Sequence, residues 1–226
     1  MTDDPRAMLG RMGESYPYGD IDRAEVLPYV PATARWVLDV GCSFGGFGAA
    51  VKRERPDAVV WGIEPNPAAA GAAEGRLDRV IRGPFPPNDG DLLAGRFDCV
   101  TFNDVLEHMA DPWAALRHTQ RLLAPGGAVV ASLPNVRHIT VLSGLLRGHW
   151  TYEESGILDR THLRFFTRRS ACAMFDSAGY DVQRVGFITY DTGGRRYRVL
   201  KAFGESAREF RAMQFVVVAT PSSPQR

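Results

Sequence analysis

The sequence predicts an α/β domain: a mainly parallel sheet with helices on both faces. Three observations carry this. Apolar, β-branched runs recur at 36–40 (WVLDV), 58–63 (AVVWGI), 97–102 (FDCVTF) and 128–133 (AVVASL). Stretches of helical character separate them, and the first run ends in a glycine-rich turn that opens a helix. Continuous apolar runs, in place of alternating ones, mark strands buried on both faces, and strand–helix alternation is what parallel pairing requires.

Taken in order, strand 36–40 is followed by a small-residue helix from 46 to 53, strand 58–63 and an alanine-rich helix over 67–76. A weaker strand at 79–82 precedes strand 97–102. Asp111 and Pro112 form an N-cap and first-turn pair opening a helix whose Trp113, Leu116 and Leu123 share a face, and Pro125-Gly126-Gly127 stops it before strand 128–133. Residues 134–166 then combine a short helix at 139–146 with the polar, aromatic stretch GHWTYEESGILDRTHLRFF, which reads as a lid. Thr167 caps a helix running to Ala178, Gly179 ends it, and 180–189 and 213–220 supply two final strands, with a loop and one amphipathic helix between them. The expected organisation is one domain: an N-terminal segment over the site (1–30), a ligand-binding half (31–135), the lid (136–166) and a C-terminal helix and strand pair (167–220).

At 226 residues the chain has room for one well-buried core. The 27 basic and 26 acidic residues leave a formal charge of +1, which provides no general field for nucleic acid or an anionic membrane. Cys42, Cys99 and Cys172 are odd in number and widely spaced, with no CxxC pair, so a reducing cytoplasm fits better than a disulfide framework or a zinc site. No apolar window reaches the roughly 18 residues of a membrane span, and the first residues lack a secretory pattern.

The segment VLDVGCSFGGFGAAV places glycines directly after a buried strand, where backbone must approach a ligand closely and free N–H groups point outward. Glu64 ends the next strand, 23 residues after Gly41, where a carboxylate can accept both hydroxyls of a ribose. A nucleoside cofactor follows. A nicotinamide dehydrogenase would instead show GxGxxG and continue into a second parallel half, which two closing strands without another glycine-rich turn do not provide.

VLDVGCSFGGFG, VWGIEPN, FDCVTFNDVLEH and RLLAPGGAVVASLPN together resemble the class I S-adenosylmethionine-dependent methyltransferases over about residues 36–135. The resemblance implies a Rossmann-like sheet of seven strands, mainly parallel with an antiparallel last strand, and a lid insertion after strand five. It implies S-adenosylmethionine as cofactor, held by Asp39, Gly41, Cys42, Ser43, Gly45, Glu64, Pro65, Asn66, Asn103, Asp104 and Val105, with Tyr16 folding over it from the N-terminal segment. Ser43 stands where the family's middle glycine is usual, and GPFPPN lacks the acidic residue often found after the third strand.

The sulfonium methyl group is already electrophilic, so methyl transfer chiefly requires an acceptor held in line and shielded from water. A hydroxyl acceptor must also lose its proton, which calls for a base or a metal, whereas an amine must only be unprotonated. In NDVLEH, helical spacing would bring Asp104, Glu107 and His108 onto one face. This resembles the ExxEH metal site of ubiquinone-pathway O-methyltransferases and of small-RNA 2′-O-methyltransferases, which a lid histidine completes; His162 stands in that place, and Asp104 replaces the first Glu. His108 and His162 are therefore the candidate catalytic bases. A divalent ion on Asp104, Glu107, His108 and His162 is the less favoured reading, because spacing does not establish convergent geometry.

The lid segment GILDRTHLRFFT resembles one found in methyltransferases of polysaccharide and natural-product pathways, which implies a sugar-containing or secondary-metabolite acceptor. His138, Trp150, Tyr152, Arg160 and Arg164 are the candidate acceptor contacts, weighed against packing for the aromatics and solvated salt bridges for the arginines. The expected activity is methylation of a hydroxyl, or second an amine, of a small metabolite, with nucleic acid disfavoured, no membrane as partner and a homodimer compatible. The alternatives are a metal-assisted RNA 2′-O-methyltransferase and a cofactor-binding module without transfer activity.

Overall fold

In a computed structural model of the chain, residues 21–87, 94–190 and 207–222 are described. Seven strands form one sheet: β1 (Trp36–Val40), β2 (Val59–Glu64), β3 (Arg79–Arg82), β4 (Phe97–Asn103), β5 (Leu123–Pro134), β6 (Tyr180–Ile188) and β7 (Gln214–Pro221). Their spatial order is β3-β2-β1-β4-β5-β7-β6. The first five run parallel, and β7 lies antiparallel between β5 and β6.

Alternate residues of each strand feed two cores, as a sheet covered on both faces demands. Leu38, Ile63, Phe102, Leu116 and Phe175 belong to one, and Val37, Val60, Cys99, Val130 and Val216 to the other. The helices are α1 (Gly46–Glu54), α2 (Pro67–Ala73), α3 (Pro112–Gln120), α4 (Ile139–Leu145), α5 (Arg168–Ser177) and the single turn α6 (Arg208–Arg211).

Capping explains where several begin. Asn66 Oδ1 accepts from the N–H groups of Ala68 and Ala69, Asp111 Oδ1 from that of Ala114, and Thr167 and Ser170 form a reciprocal capping box. Each satisfies donors that the first helical turn leaves unpaired.

Two expectations need correction. Helix α3 ends at Gln120, and Pro125-Gly126-Gly127 lies inside β5 instead of separating helix from strand. The register with β4 jumps from Leu123 to Ala128, and pairing with β7 begins only at Val129, so Pro125 occupies a stretch with no ladder bond for it to break. Helix α2 likewise stops at Ala73, short of Arg76. The amphipathic helix expected before the last strand falls largely outside the described residues; α6 is what is described of it.

The strand order reverses between β1 and β4, so the loops leaving their carboxyl ends diverge and open a crevice, the usual ligand position in such sheets. No helix among the described residues is long and apolar enough to cross a membrane.

Candidate active site

The turn after β1 is built from three left-handed residues, Gly41 (φ 72°), Ser43 (φ 48°) and Gly45 (φ 80°). The Gly41 and Cys42 N–H groups both donate to Ile63 O, at 2.8 and 3.1 Å, which ties the turn to the end of β2. Ser43 thus adopts the conformation that a glycine would take freely, at a cost on the order of 1 kcal/mol. Its Oγ is buried without a hydrogen-bond partner, as is Asn103 Oδ1 at the end of β4. Buried polar atoms are rarely left unsatisfied, so this pair suits a polar ligand lying in the crevice.

Glu64, at the end of β2, is almost wholly buried. Oε2 accepts from the Ser43 N–H at 2.9 Å and Oε1 from the Asn66 N–H at 2.8 Å. These two backbone donors fix the carboxylate's orientation at the carboxyl end of β2, where such a group can accept ribose hydroxyls.

Asp39, on β1, accepts from Thr101 Oγ1 at 2.7 Å and from Asn103 Nδ2 at 3.4 Å. Burial pushes its carboxyl up to about 7, against the pull of those two hydrogen bonds. The fold therefore favours the protonated form. Asp39's contribution to stability is full below about pH 4 and is lost as pH rises through about 7. Burial also raises the Cys42 thiol, which removes it as a nucleophile.

The close approach of backbone at Gly41 is testable. A Cβ there would lie 2.6 Å from Val105 Cγ2, on a residue with φ of 72°. Gly41→Ala is expected to cost about 1–3 kcal/mol and to lower Tm by several degrees; an unchanged melting curve would contradict this packing.

A second group of functional side chains lies beyond the end of β4. Glu107 is fully buried, and neither carboxylate oxygen has a hydrogen-bond partner. Burial, reinforced by the charge on Asp104, raises its carboxyl well above the ordinary range. Glu107 Oε1 lies 4.0 Å from His162 Nε2, and the His162 and His108 rings meet edge to face at 4.7 Å between centroids. His162 Nδ1 lies 3.1 Å from Ile157 O, which fixes the tautomer that turns the bare Nε2 toward Glu107. His108 Nδ1 faces Thr161 O and Oγ1, and Thr161 Oγ1 in turn donates to Asp159 Oδ1 at 2.7 Å. Burial first, then neighbouring His162, holds the His108 imidazole below its ordinary value, so its neutral form prevails.

Ligand atoms of Glu107, His108 and His162 all lie within 4.8 Å of one another. Donors sharing one ion at about 2.0–2.2 Å stand within about 4.4 Å of each other, so these three residues fit a divalent cation after small shifts. The orphaned Glu107 oxygens point the same way. The cluster opens on a cavity of about 210 Å³ lined also by Asp104, Ile157, Asp159, Tyr190, Met213 and Gln214. A neighbouring cavity of about 240 Å³, with Thr140, His149, Thr151 and Glu153 in its wall, shares Gly156, Ile157 and Met213 with the first.

Asp104 departs from its expected place. Residues 104–108 do not form an α-helix: Asp104 has φ of 56°, and only Leu106–His108 makes a 3-10 turn. Its carboxylate forms an ion pair with Arg23 and hydrogen bonds with Ser132 Oγ and Gln214 Nε2, so it stands apart from the other three ligands. Val105 packs against the Gly41 turn. Pro65 is exposed beside Asn66, which caps α2. Tyr16 lies outside the described residues.

The acceptor candidates divide. His138 is buried and caps α4, with Nδ1 2.8 Å from Thr140 Oγ1, and lines neither cavity. Trp150 and Tyr152 pack on Phe165 at the lid surface, at 5.2 and 6.3 Å between centroids. Arg160 pairs with Glu154 at 3.0 Å, and Arg164 donates to Ala110 O at 2.7 Å. Thr101, Asp159, Gln214 and Arg23 were not singled out by sequence reasoning: Thr101 and Asp159 lie inside FDCVTFNDVLEH and GILDRTHLRFFT with no role assigned to them, and Gln214 and Arg23 belong to no motif and enter through contacts distant in the chain.

Comparison with known proteins agrees with this geometry. A family model described as a methyltransferase domain matches residues 21–185. The ubiquinone biosynthesis O-methyltransferase of Psychrobacter arcticus is 32% identical over 169 residues, which cover 71% of this chain and 65% of that protein. The chain thus spans a little under two thirds of that relative's length. Among solved structures, the SAM dependent methyltransferase from Archaeoglobus fulgidus has a TM-score of 0.60 at 16% identity, covering 95% of this chain and 93% of that one. The S-adenosylmethionine dependent methyltransferase from Mesorhizobium loti has a TM-score of 0.59 at 18% identity, covering 88% and 97%. At such identities these two structures speak for the fold, and the family match and the curated relative carry the assignment. The chain belongs to the methyltransferase-domain family, as a class I member whose cofactor is S-adenosylmethionine.

Proposed function

We propose that the chain transfers the methyl group of S-adenosylmethionine to a hydroxyl of a small, sugar-containing or similarly polar metabolite. The observation that carries this reading is the buried, unpartnered Glu107 carboxylate facing His162 Nε2, beside a cavity at the carboxyl end of β4. A free amine needs no base in the transfer step itself. A hydroxyl must surrender a proton, and His162, oriented by Ile157 O, presents a base to it. If a divalent cation is bound, Glu107, His108 and His162 would hold it, and it would lower the pKa of an acceptor hydroxyl.

The two adjoining cavities support a small polar acceptor, its reacting hydroxyl in the first and the remainder against Thr140, Thr151 and Glu153 in the second. Trp150, Tyr152, Arg160 and Arg164 would then lie on the rim, and the proposal gives them contact only with the acceptor's outer part. Similarity to a ubiquinone biosynthesis O-methyltransferase is consistent with oxygen as the methylated atom.

Labelled S-adenosylmethionine offered with catechols, glycosides, matched amines and a small RNA tests this. Label on hydroxyl-bearing metabolites is expected; label confined to amines or RNA would contradict the proposal. Cofactor binding also carries a pH signature. The cofactor brings positive charge toward Asp39, which favours its ionised form, so binding should release a proton near pH 6.5 and tighten as pH rises through about 7. Calorimetry in buffers of different ionisation enthalpy reads this directly, and proton uptake would remove Asp39 from the cofactor site.

A further inference from the structure

The Arg23 guanidinium is the meeting point of four parts of the chain. It forms an ion pair with Asp104 beyond β4, donates to Gln214 Oε1 on β7 at 2.8 Å and to Ser132 Oγ on β5 at 3.3 Å, and bonds Glu25 Oε1 at 2.7 Å. Tyr190, from the wall of the first cavity, donates to the same Glu25 oxygen at 3.3 Å. Asp104 Oδ1 accepts from Ser132 Oγ at 3.0 Å and from Gln214 Nε2 at 2.9 Å, while Oδ2 takes the arginine. Both carboxylate oxygens are therefore turned toward Arg23 and its neighbours. Glu107, three residues later, keeps both of its oxygens bare in the same cavity.

We propose that Arg23 is a positioning residue: it holds Asp104 out of the Glu107–His108–His162 cluster, leaving a three-donor site. This rests on the proposed function of that cluster. A guanidinium is permanently charged and binds a carboxylate in a fixed geometry, which makes it a durable competitor for Asp104. The site's donor set is then one carboxylate and two imidazoles, which suits a borderline transition-metal ion better than the oxygen-rich shell preferred by Mg²⁺. Removing the arginine would release Asp104 to swing back as a fourth donor.

The test uses the full chain, Mn²⁺ as probe, and parallel titration with S-adenosylhomocysteine. Asp104→Asn is expected to bind Mn²⁺ within about twofold of wild type, Arg23→Gln to bind about tenfold more tightly, and the double variant to return to the wild-type value. A gain of affinity on removing a cross-linking arginine is not what a merely structural role would produce. A tenfold loss in Asp104→Asn would show that Asp104 is already a ligand and overturn the proposal; this arm is decisive even if melting curves show that Arg23→Gln does not fold. Folded Arg23→Gln with no tighter binding overturns it equally. A wild type that binds S-adenosylhomocysteine but no Mn²⁺ removes the metal from the proposed function without touching the cofactor assignment; Arg23→Gln that then gains Mn²⁺ still supports the arginine's role, and one that stays silent refutes it.

Discussion

Glu64→Ala is expected to abolish measurable S-adenosylhomocysteine binding. The carboxylate is buried at the end of β2 and oriented by the Ser43 and Asn66 N–H groups, and its proposed ligands are the two ribose hydroxyls. Hydrogen bonds to a charged group contribute about 1.5–3 kcal/mol each, so losing two weakens binding by at least about 100-fold. The same change leaves the Ser43 N–H of the turn and the Asn66 N–H after β2 without their acceptor, which loosens the cradle as well as the contact. Glu64→Gln separates these effects: it retains the side chain's shape and an acceptor oxygen but loses the charge, and should retain part of the affinity. Calorimetric titration of both variants reads the result, and wild-type affinity in Glu64→Ala would remove the ribose role.

The second large effect concerns transfer itself. His162→Ala is expected to slow methylation of a hydroxyl acceptor by about 100-fold or more, the usual contribution of a positioned base, while sparing S-adenosylhomocysteine affinity. Glu107→Gln should slow it as well, because the amide can neither exchange a proton beside His162 nor supply an anionic ligand to a bound cation. Removing either partner leaves the other buried and poorly solvated, so the double variant should be little slower than the worse single one. Single-turnover rates with saturating cofactor distinguish this from a binding defect. A full rate in His162→Ala would take the histidine out of the chemistry.

The parts legible in the sequence are those whose cause is local. β1, β2 and β4 could be read because a strand buried on both faces must be apolar at nearly every position, as in Val37, Leu38 and Val40. Asp111 and Thr167 mark helix starts through hydrogen bonds that reach only three residues. Glu64 was found because its distance from the glycine turn is set by one strand–helix–strand unit. His162 was found by resemblance, and its orientation by Ile157 O could not be read from spacing.

Asp104 shows where local reasoning ends. Its pairing with Arg23 spans 81 positions, and the ligand set suggested by helical spacing with Glu107 and His108 does not form, because residues 104–108 are not helical and Arg23 holds the Asp104 carboxylate. Pro125 misled for a related reason: a proline normally ends a strand, yet here the neighbouring strand has not begun and the opposite register skips past it. In both cases the deciding partner lies far along the chain.

The central claim is that the turn joining β1 to α1 receives a sulfonium nucleoside and not a nicotinamide dinucleotide. Parallel calorimetric titrations of the wild-type chain with S-adenosylhomocysteine and with NADH test it most directly. One-to-one uptake of S-adenosylhomocysteine, lost in Glu64→Ala, with no heat from NADH is the expected result; tight NADH binding without affinity for S-adenosylhomocysteine would contradict the account at its base.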